Sequence, residues 1–475
     1  MSQDAGFYLT TTLPYVNAEP HIGFGLEIVA GDVICRFQRL LGKEVIFNTG
    51  TDEHGQKIYG EALKRQQTPQ EYVNEYAAKF DSLKQTLNLS YDRFIRTTDP
   101  QHIAAAEHFW QVVNDRGFIY KKNYQAKYCV GCELEKTDSE LIGGQCALHP
   151  TKQIEIIEEN NYFFKFSAFT DELLQLYADH SSFVKPEGKH KEIEAFVKQG
   201  LKDFSISRLK TKMPWGIPIP GDEDQVMYVW FDALINYIST LGWPDDQVTF
   251  KKFWPGIQLA GKDNLRQQSA MWQAMLLAAG LPPSKLILIN GFINIDSQKM
   301  SKSTGNVITP QELVDRYCVD GARYLLMNLG VFGEDMDVTW ERLDTTYTAD
   351  LANGLGNLCS RVAKLCEQSN FSLKAKPDTK MFKHEFLEKM NNFALSQALA
   401  WIVTQIDQQD KYLAQQKPWT QTGSKQAQIL EQVVEQILLI AHHLQPFMPA
   451  TAQKLEEHFS AKRITALTPL FPRLG

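Results

Sequence analysis

The sequence predicts an α/β fold in which a doubly wound parallel sheet is split by an insertion and followed by an all-α helical bundle. Three observations support this prediction. Strand-like and helix-like segments alternate over residues 1–116, cysteines and short strand candidates appear within residues 117–204, and an almost wholly helical pattern begins at residue 347. Alternation of strands and helices is typical of parallel sheets that bind ligands at the carboxyl ends of their strands.

The first half of the sheet is predicted within residues 1–116. Phe7–Leu13 and Glu44–Asn48 have the apolar pattern of buried strands, and Gly25–Leu41 repeats apolar residues near helical spacing. This βαβ order is Rossmann-like. Further helices are predicted over Pro69–Leu87 and Gln101–Arg116.

The second half of the sheet is predicted within residues 205–325, after an insertion over residues 117–204. Residues 326–346 are expected to link it to a helical domain over residues 347–475. The insertion has two short strand candidates, Ile154–Ile157 and Tyr162–Phe166. In the second half, strands are predicted over Ser205–Arg208, Val226–Phe231, Gln258–Gly261 and Leu286–Ile295, and helices over Ala233–Leu241 and Gln268–Ala279.

Composition and charge narrow the function classes. Of the 475 residues, 43% are hydrophobic and 22% are charged, which is ordinary for a globular protein. The chain starts without a secretory signal and has no apolar run long enough for a membrane span, and its seven cysteines then favour thiols and metal sites. We therefore expect a cytoplasmic protein with no membrane association.

A net charge of −7 argues against a surface coated by nucleic acid. Basic residues are nevertheless frequent between Lys185 and Lys212. They are as consistent with a local basic groove as with solvated helix faces.

Two cysteine-containing knuckles predict a metal site in the insertion. Cys129 and Cys132 form one pair, and Cys146 and His149 form the second, with two glycines before it. A single Cys-x-x-Cys could be a redox motif, but two matched pairs offer the four ligands of a tetrahedral structural Zn²⁺. The other cysteines are expected to be small core residues: Cys35, Cys318, Cys359 and Cys366.

A loop at Lys299-Met-Ser-Lys-Ser303 follows a strand-like apolar run. Ammonium and hydroxyl groups on a mobile loop suit the oxygens of a polyphosphate, although solvated Lys/Ser loops are common. A second segment, Pro20-His-Ile-Gly-Phe24, follows the first strand. Together and in this order, the two segments resemble the two signature motifs of the class I aminoacyl-tRNA synthetases.

The resemblance implies formation of an aminoacyl adenylate from ATP with Mg²⁺, in which negative charge grows on phosphate oxygens. His21 at a helix start can donate to phosphates, Gly23 lets the nucleotide approach the backbone, and Lys299 and Lys302 supply cations. These cations and donors are the predicted catalytic groups. The implied ATP-binding set also includes Glu27, Ser301 and Asp263, the last of these at the ribose.

A narrower resemblance is to the methionyl-tRNA synthetases, over nearly the whole chain. It implies activation of methionine and its transfer to the 3′ end of tRNA(Met), for both initiation and elongation of translation. Asp52 would bind the ammonium group of methionine. The residues that carry the resemblance are Leu13-Pro-Tyr15, Gly50-Thr-Asp-Glu-His-Gly-Gln56, Ile206-Ser-Arg208, Trp215-Gly-Ile-Pro218, Val229-Trp-Phe-Asp-Ala233, Tyr237, Gly261-Lys-Asp263 and the Lys299–Ser303 loop.

The same resemblance implies a pocket for the methionine side chain. Aromatic walls suit a flexible thioether, although each aromatic residue taken alone is also consistent with core packing. Asn264 and Gln268 are expected at the rim of this pocket. The residues expected to line it are Leu13, Tyr15, Trp230, Ala233 and Tyr237.

Other class I subgroups fit less well. The isoleucine, valine and leucine enzymes usually carry a larger editing insertion. In the cysteine enzyme a cysteine precedes the first motif and its zinc touches the substrate, whereas this chain has Thr11-Thr-Leu-Pro-Tyr15 at that place.

Three residues depart from the family pattern. Phe24 stands where the first motif usually ends in a polar residue, Asn264 where an apolar residue is usual, and Gln268 where a histidine is common. A buried amide needs a hydrogen-bond partner. Gln268 is therefore expected to pair with Asn264, with a neighbouring tyrosine or with an ordered water.

In the helical domain, Asn357 and Arg361 lie four residues apart on one helical face, and Trp419 lies near the end of another helix. The resemblance implies that these three residues bind the anticodon, since arginine planes and indole rings stack on splayed bases. The alternative is that they pack or cap helices. Because the chain stops soon after this bundle, we expect a monomer.

Two other function classes fit the sequence less well. A tRNA-binding regulatory protein built on a retired synthetase would explain Phe24, but His21, Asp52, Lys299 and Lys302 argue against it. A nucleotidyl transferase that acts without tRNA would not need the long helical domain.

Overall fold

A six-stranded sheet organises the first of two compact units in the chain. In the computed structural model this unit comprises the chain up to Glu19 together with Asn48–Asp81 and Asp92–Ile289, and the second comprises Pro20–Phe47, Ser82–Tyr91 and the chain from Asn290. The structure describes residues 6–474 except 132–133, 137–140, 296–297, 300–306 and 374–380, with the backbone alone at 124–126, 134–135, 157 and 298–299.

The sheet confirms the predicted doubly wound α/β fold. Its central strands Phe7–Thr11 and Ile257–Gly261 are parallel neighbours, and Val45–Thr51 is parallel to Arg93–Arg96. After Phe7–Thr11 the chain continues to the strands on one side, and from Ile257–Gly261 it continues to a strand on the other side. The carboxyl ends of these two neighbouring strands therefore form a crevice of the kind that binds ligands. The strand order is Arg93–Arg96, Val45–Thr51, Phe7–Thr11, Ile257–Gly261, Leu286–Asn290 and Val184–Lys185.

Gly50 is required where the second strand meets its outer neighbour. A Cβ atom at this position would lie 1.8 Å from the carbonyl oxygen of Ile95. Only glycine therefore allows the backbone pairing of Gly50 with Ile95, two residues before Asp52.

The insertion is built on longer strands than the sequence predicted. Ile119–Cys129 and Ile154–Phe164 pair antiparallel along their whole length. The candidate Ile154–Ile157 and the first three residues of the candidate Tyr162–Phe166 belong to this one second strand, which ends at Phe164 before the 3₁₀ turn Phe166–Phe169. The polar residues between the two candidates do not interrupt the strand, because a strand with one exposed face needs few apolar residues. An apolar pattern alone therefore did not predict one continuous strand.

Two further predictions were wrong in type or boundary. Val226–Phe231 is not one strand. The strand Asp222–Met227 ends before Tyr228, and the helix Val229–Ala233 begins after it. Short apolar runs do not distinguish strand from helix, and here tertiary packing decides. Leu286–Ile295 divides into Leu286–Asn290 and Ile293–Ile295, which belong to different sheets.

The second unit is centred on packed helices. Ile22–Leu40 packs against Pro310–Asn328, and the buried Arg323 of the latter donates to Asp32 of the former at 2.7 Å. The C-terminal tail folds back, as the Tyr347 hydroxyl donates to the Pro472 carbonyl at 3.0 Å. Removing one partner of a buried ion pair such as Asp32–Arg323 typically costs about 3–5 kcal/mol.

Of the cysteines expected in the core, Cys35, Cys359 and Cys366 are buried but Cys318 is exposed. Cys318 has a φ of 58° at a kink within Pro310–Asn328. The helical spacing is interrupted at this kink, so a core position inferred from a continuous helix does not apply to Cys318.

The described strands are Phe7–Thr11, Val45–Thr51, Arg93–Arg96, Ile119–Cys129, Leu134–Lys136, Leu141–Ile142, Gln145–Cys146, Ile154–Phe164, Val184–Lys185, Phe204–Ser205, Ser207–Leu209, Pro218–Ile219, Asp222–Met227, Ile257–Gly261, Leu286–Asn290, Ile293–Ile295, Gln298–Lys299 and Met336–Val338.

The described α-helices are Ile22–Leu40, Gln56–Lys64, Pro69–Asp81, Leu83–Thr86, Pro100–Asp115, Thr170–Asp179, Glu187–Lys198, Val229–Ala233, Asn236–Ser239, Gln247–Phe253, Trp272–Ala279, Pro310–Asn328, Trp340–Thr346, Asn357–Gln368, His384–Asn391, Leu395–Gln416, Gly423–Leu444 and Pro449–Phe459. The π-helical segments Gln267–Met271 and Tyr347–Gly356 and the 3₁₀ turns Phe166–Phe169, Lys262–Asn264 and Pro418–Thr420 complete the helical structure.

Within the described part of the chain, every helix is too short or too polar to span a membrane.

Candidate active site and candidate metal centre

Asp52 lies in a turn at the carboxyl end of the strand Val45–Thr51. Tyr15 and Asp52 form a parallel β-bridge, in which the Asp52 amide donates to Pro14 and the Asp52 carbonyl accepts from Val16. Asp52 is 5% exposed. The pairing places Tyr15 and Asp52, both predicted for the methionine site, directly opposite each other.

The residues after Asp52 are held by both backbone and side-chain bonds. The Tyr15 hydroxyl donates to the His54 carbonyl at 2.6 Å, and the Trp215 indole donates to the Glu53 carbonyl at 2.6 Å. The buried Glu53 carboxylate accepts two bonds from Arg96, at 2.7 and 2.9 Å. The turn is therefore rigidly placed before any ligand arrives.

The helices that carry the predicted pocket residues are tied to the first two strands. The Tyr8 hydroxyl donates to the Tyr237 carbonyl at 2.9 Å. The Asn48 amide donates to Asn236 at 3.4 Å, and Asn236 in turn donates to the Ala233 carbonyl at 2.6 Å. These bonds fix Ala233 and Tyr237, which are both buried, against the first two strands of the sheet.

Asp232 is a buried carboxylate between two histidines. It accepts from His54 Nδ1 at 2.7 Å and from His102 Nε2 at 2.8 Å. Burial alone would raise the pKa of the Asp232 carboxyl, but the charge and hydrogen bonds of His54 and His102 hold that pKa below its ordinary value. Asp232 is therefore an ionised hydrogen-bond acceptor at neutral pH.

Gln268 is buried and donates to the Tyr237 hydroxyl at 2.7 Å. This confirms one of the three partners predicted for it. Its own Oε1 accepts from Gln258 at 3.0 Å. Within the described chain, Asn264 is half-buried and is not a partner of Gln268.

The remaining predicted residues of this unit differ in exposure. Leu13 and Trp230 are half-buried, and Asp263 is exposed in the 3₁₀ turn after the strand Ile257–Gly261. Trp230 Nε1 has no hydrogen-bond partner among the described residues. An exposed carboxylate at a strand end and a half-buried indole are both accessible to a ligand.

His21 caps the helix Ile22–Leu40 in the second unit. Its Nδ1 accepts from the Gly23 amide at 3.0 Å, so in the neutral ring Nε2 carries the proton and is a donor. Phe24 is half-buried in the first turn, and Glu27 is buried in the next. The predicted helix start at Gly25 was three residues late, because the histidine itself provides the cap.

The described residues include only part of the Lys299–Ser303 loop. The backbone of Lys299 lies in the strand Gln298–Lys299, opposite Asn294. Ser301 and Lys302 lie outside the described residues.

Three of the four predicted metal ligands converge. The sulfur atoms of Cys129 and Cys146 and a ring nitrogen of His149 lie within 4.8 Å of one another. A Cβ atom at Gly131 would lie 2.4 Å from the His149 ring, so the first knuckle closes tightly on the second. Two thiols and an imidazole are a donor set that fits Zn²⁺. Cys132 lies outside the described residues.

The residues predicted at the anticodon lie together in the helical domain. Arg361 donates to Asp410 at 2.9 Å, and its guanidinium lies 6.0 Å from the centre of the Trp419 ring. Trp419 is 51% exposed, and Asn357 is exposed at the start of Asn357–Gln368. An indole held beside a guanidinium and open to solvent can stack on a base.

Sequence reasoning missed the residues that hold the site rather than face it. His54, His102 and Asp232 form a buried trio, and Gln258 orients Gln268. The only sequence signal was proximity, since His54 follows Asp52 by two positions and Asp232 lies between Trp230 and Ala233.

Comparisons with known proteins give a consistent result. The family described as tRNA synthetases class I (M) matches residues 7–154 and 132–363. A methionine--tRNA ligase of Thermosynechococcus vestitus is 40% identical over 94% of this chain and 89% of the relative, and one of Rhizobium meliloti is 38% identical over 96% and 92%. The structure of Mycobacterium tuberculosis methionyl-tRNA synthetase in complex with methionyl-adenylate superposes with a TM-score of 0.91 at 32% identity, covering 99% of this chain and 100% of that one.

Proposed function

The chain belongs to the methionyl-tRNA synthetase family of the class I aminoacyl-tRNA synthetases, and on that premise we propose how its residues act. The enzyme activates methionine with ATP and transfers it to tRNA(Met). A carboxylate oxygen of methionine attacks the α-phosphorus of ATP and pyrophosphate leaves. A hydroxyl of the ribose at the 3′ end of the tRNA then attacks the methionyl carbonyl, and AMP leaves.

The pairing of Tyr15 with Asp52 carries the assignment of the amino-acid site. The buried Asp52 carboxylate is a suitable partner for the ammonium group, and it is placed beside aromatic surface that suits a thioether. The side chain of methionine contacts Leu13, Tyr15, Trp230, Ala233 and Tyr237, and Asn264 and Gln268 lie at the rim.

His21 acts on the phosphates. Its Nε2–H and the amides of the first helical turn are donors for developing negative charge. Lys299 and Lys302 contribute the cations, and loss of such a group typically costs about 3–4 kcal/mol of transition-state stabilisation. Mg²⁺ bound with ATP would neutralise part of the phosphate charge. Gly23, Glu27, Asp263 and Ser301 complete the nucleotide contacts.

Cys129, Cys132, Cys146 and His149 would hold a structural zinc ion in the insertion. Four protein ligands leave no position for water, so the metal supports the fold of the insertion rather than the reaction. The convergence of three of these ligands supports the assignment.

Asn357, Arg361 and Trp419 bind the anticodon of tRNA(Met). The Arg361–Trp419 contact and the exposure of the indole support this role. The division into a split catalytic domain, a zinc insertion, a stem-contact linker and an anticodon-binding domain belongs to the same proposal. So do a monomeric state and a cytoplasmic location.

Charging of purified tRNA(Met) with labelled methionine tests the whole proposal. We expect charging that depends on ATP and Mg²⁺ and that fails with tRNAs for other amino acids. Absence of charging by folded, zinc-loaded protein would refute it.

A further inference from the structure

We propose that His54 and Asp232 are positioning residues, and that their hydrogen bond sets the spacing between the two ends of the methionine site. The inference rests on the function proposed above. That function assigns Asp52 to the ammonium group, and Trp230 and Ala233 to the side chain.

The bond joins the two elements that carry these groups. His54 follows Asp52 by two residues in the turn after Val45–Thr51, and Asp232 lies between Trp230 and Ala233 in the helix Val229–Ala233. His54 Nδ1 and Asp232 Oδ2 are 2.7 Å apart, although 178 residues separate them in the chain. A change in this bond therefore shifts the ammonium partner relative to the pocket wall.

The imidazole of His54 cannot move without the turn. The Tyr15 hydroxyl holds the His54 carbonyl at 2.6 Å, and the Trp215 ring packs against the imidazole with centroids 5.5 Å apart. The His54 residue is 4% exposed and the Asp232 side chain is fully buried. A charge-assisted bond between such restrained and desolvated groups is about twice as strong as a neutral one.

His102 forms a second bond to the Asp232 carboxylate. A His102 variant is therefore a matched control for a His54 variant. His102 Nε2 lies 2.8 Å from Asp232 Oδ1, and its Nδ1 lies 3.0 Å from the Ser239 hydroxyl. His102 lies in the helix Pro100–Asp115, whereas His54 lies in the turn that contains Asp52. Removing either histidine leaves the carboxylate with one donor fewer, but only His54 links it to the ammonium partner.

The test compares methionine with 4-(methylthio)butanoate, which is methionine without its ammonium group. Dissociation constants for both compounds are measured by calorimetry on the full-length wild type, His54→Phe and His102→Phe. Phenylalanine keeps a ring against Trp215 or in the core and removes the N–H donor. We expect His54→Phe to weaken methionine binding roughly tenfold or more, as small displacements of positioning groups do. Binding of the analogue should change less than twofold.

His102→Phe should lower thermal stability but keep the ratio of the two dissociation constants at the wild-type value. The side-chain N–H of asparagine lies near the position of Nδ1. His54→Asn should therefore retain most of the wild-type preference for methionine over 4-(methylthio)butanoate that His54→Phe loses. If His54→Phe does not fold, His54→Leu replaces it with the same expectation.

An unchanged ratio in the folded His54 variants, or an equal change in the His54→Phe and His102→Phe proteins, would overturn the proposal. The proposed function is tested separately. If the wild type fails to charge tRNA(Met), that function fails whatever the binding ratios are.

Discussion

Gln268 Nε2 lies 2.7 Å from the hydroxyl oxygen of Tyr237, and the direction of this hydrogen bond is set by a chain of buried amides. Gln273 Oε1 accepts from the Ser284 backbone amide at 2.9 Å, which leaves its Nε2 to donate to Gln258 Oε1 at 3.4 Å. Gln258 Nε2 donates to Gln268 Oε1 at 3.0 Å. Gln268 must therefore present its N–H group to Tyr237.

Gln268→Ala should raise the Michaelis constant for methionine severalfold and leave that for ATP nearly unchanged. The variant removes the donor that holds Tyr237 and leaves buried polar groups without partners, which costs about 1–3 kcal/mol. Pyrophosphate exchange at varied methionine and ATP gives both constants. Gln267→Ala is the control, because Gln267 is the buried neighbour that does not bond Tyr237. Unchanged methionine kinetics, or a loss of ATP binding, would remove Gln268 from the amino-acid pocket.

Protein purified without added metal should contain one Zn²⁺ per chain. Cys146→Ser and Gly131→Ala should both reduce retention of the metal against a chelator, the second because its Cβ would lie 2.4 Å from the His149 ring. Gly188→Ala is the matched control, since a Cβ there meets no atom within 4 Å. Elemental analysis gives the stoichiometry. A zinc-free protein, or one whose metal exchanges when substrate binds, would contradict the structural role.

Arg361→Ala and Trp419→Ala should weaken charging of tRNA(Met) while pyrophosphate exchange stays intact. Each lost base stack is worth about 1–3 kcal/mol, and only charging needs the tRNA. Aminoacylation kinetics with the normal and a mutated anticodon measure the effect. Trp340→Ala disrupts another exposed Arg–Trp contact, with Arg316 5.4 Å from that ring, and should not alter anticodon discrimination. Equal losses with both tRNAs in the Arg361 and Trp419 variants would mean that these residues only support the bundle.

His443 should make the helical domain sensitive to acid. Burial lowers the pKa of His443 from 6.5 to about 4, and its ring is held neutral because Nε2 accepts the Lys383 amide while Nδ1 donates to Leu439. Between these pKa values the unfolded chain binds a proton that the folded chain does not. The free energy of unfolding should therefore fall as pH decreases from about 6.5 to about 4, by on the order of 3 kcal/mol at most.

Urea unfolding at a series of pH values measures this slope. His443→Gln should flatten it over that window even if its stability is lower throughout. His384→Gln, at an exposed position in the same domain, controls for the loss of a histidine as such. An identical slope in wild type and His443→Gln would contradict the assignment.

The sequence predicted the elements whose pattern is local. The strand Phe7–Thr11, the helix Pro100–Asp115 and the three converging metal ligands follow from periodicity and spacing, and they were found where expected. Boundaries failed where a side chain caps a helix, as at His21, or where one apolar run serves two elements, as at Val226–Phe231.

The contacts that support the site could not be predicted from the sequence. Asp232 meets His102 across 130 residues and His54 across 178, and periodicity carries no information about such distant partners. Gln268 was predicted to need a partner because a buried amide must have one. The structure was needed to choose Tyr237 among the three possibilities.

Pyrophosphate exchange into ATP, assayed with each of the twenty amino acids in turn, tests the central claim most directly. The account predicts exchange that requires Mg²⁺, which accompanies ATP, and that is supported strongly by methionine alone, because the aromatic pocket suits a thioether side chain. Exchange driven by a different amino acid, or none with any amino acid from a folded protein, would contradict it.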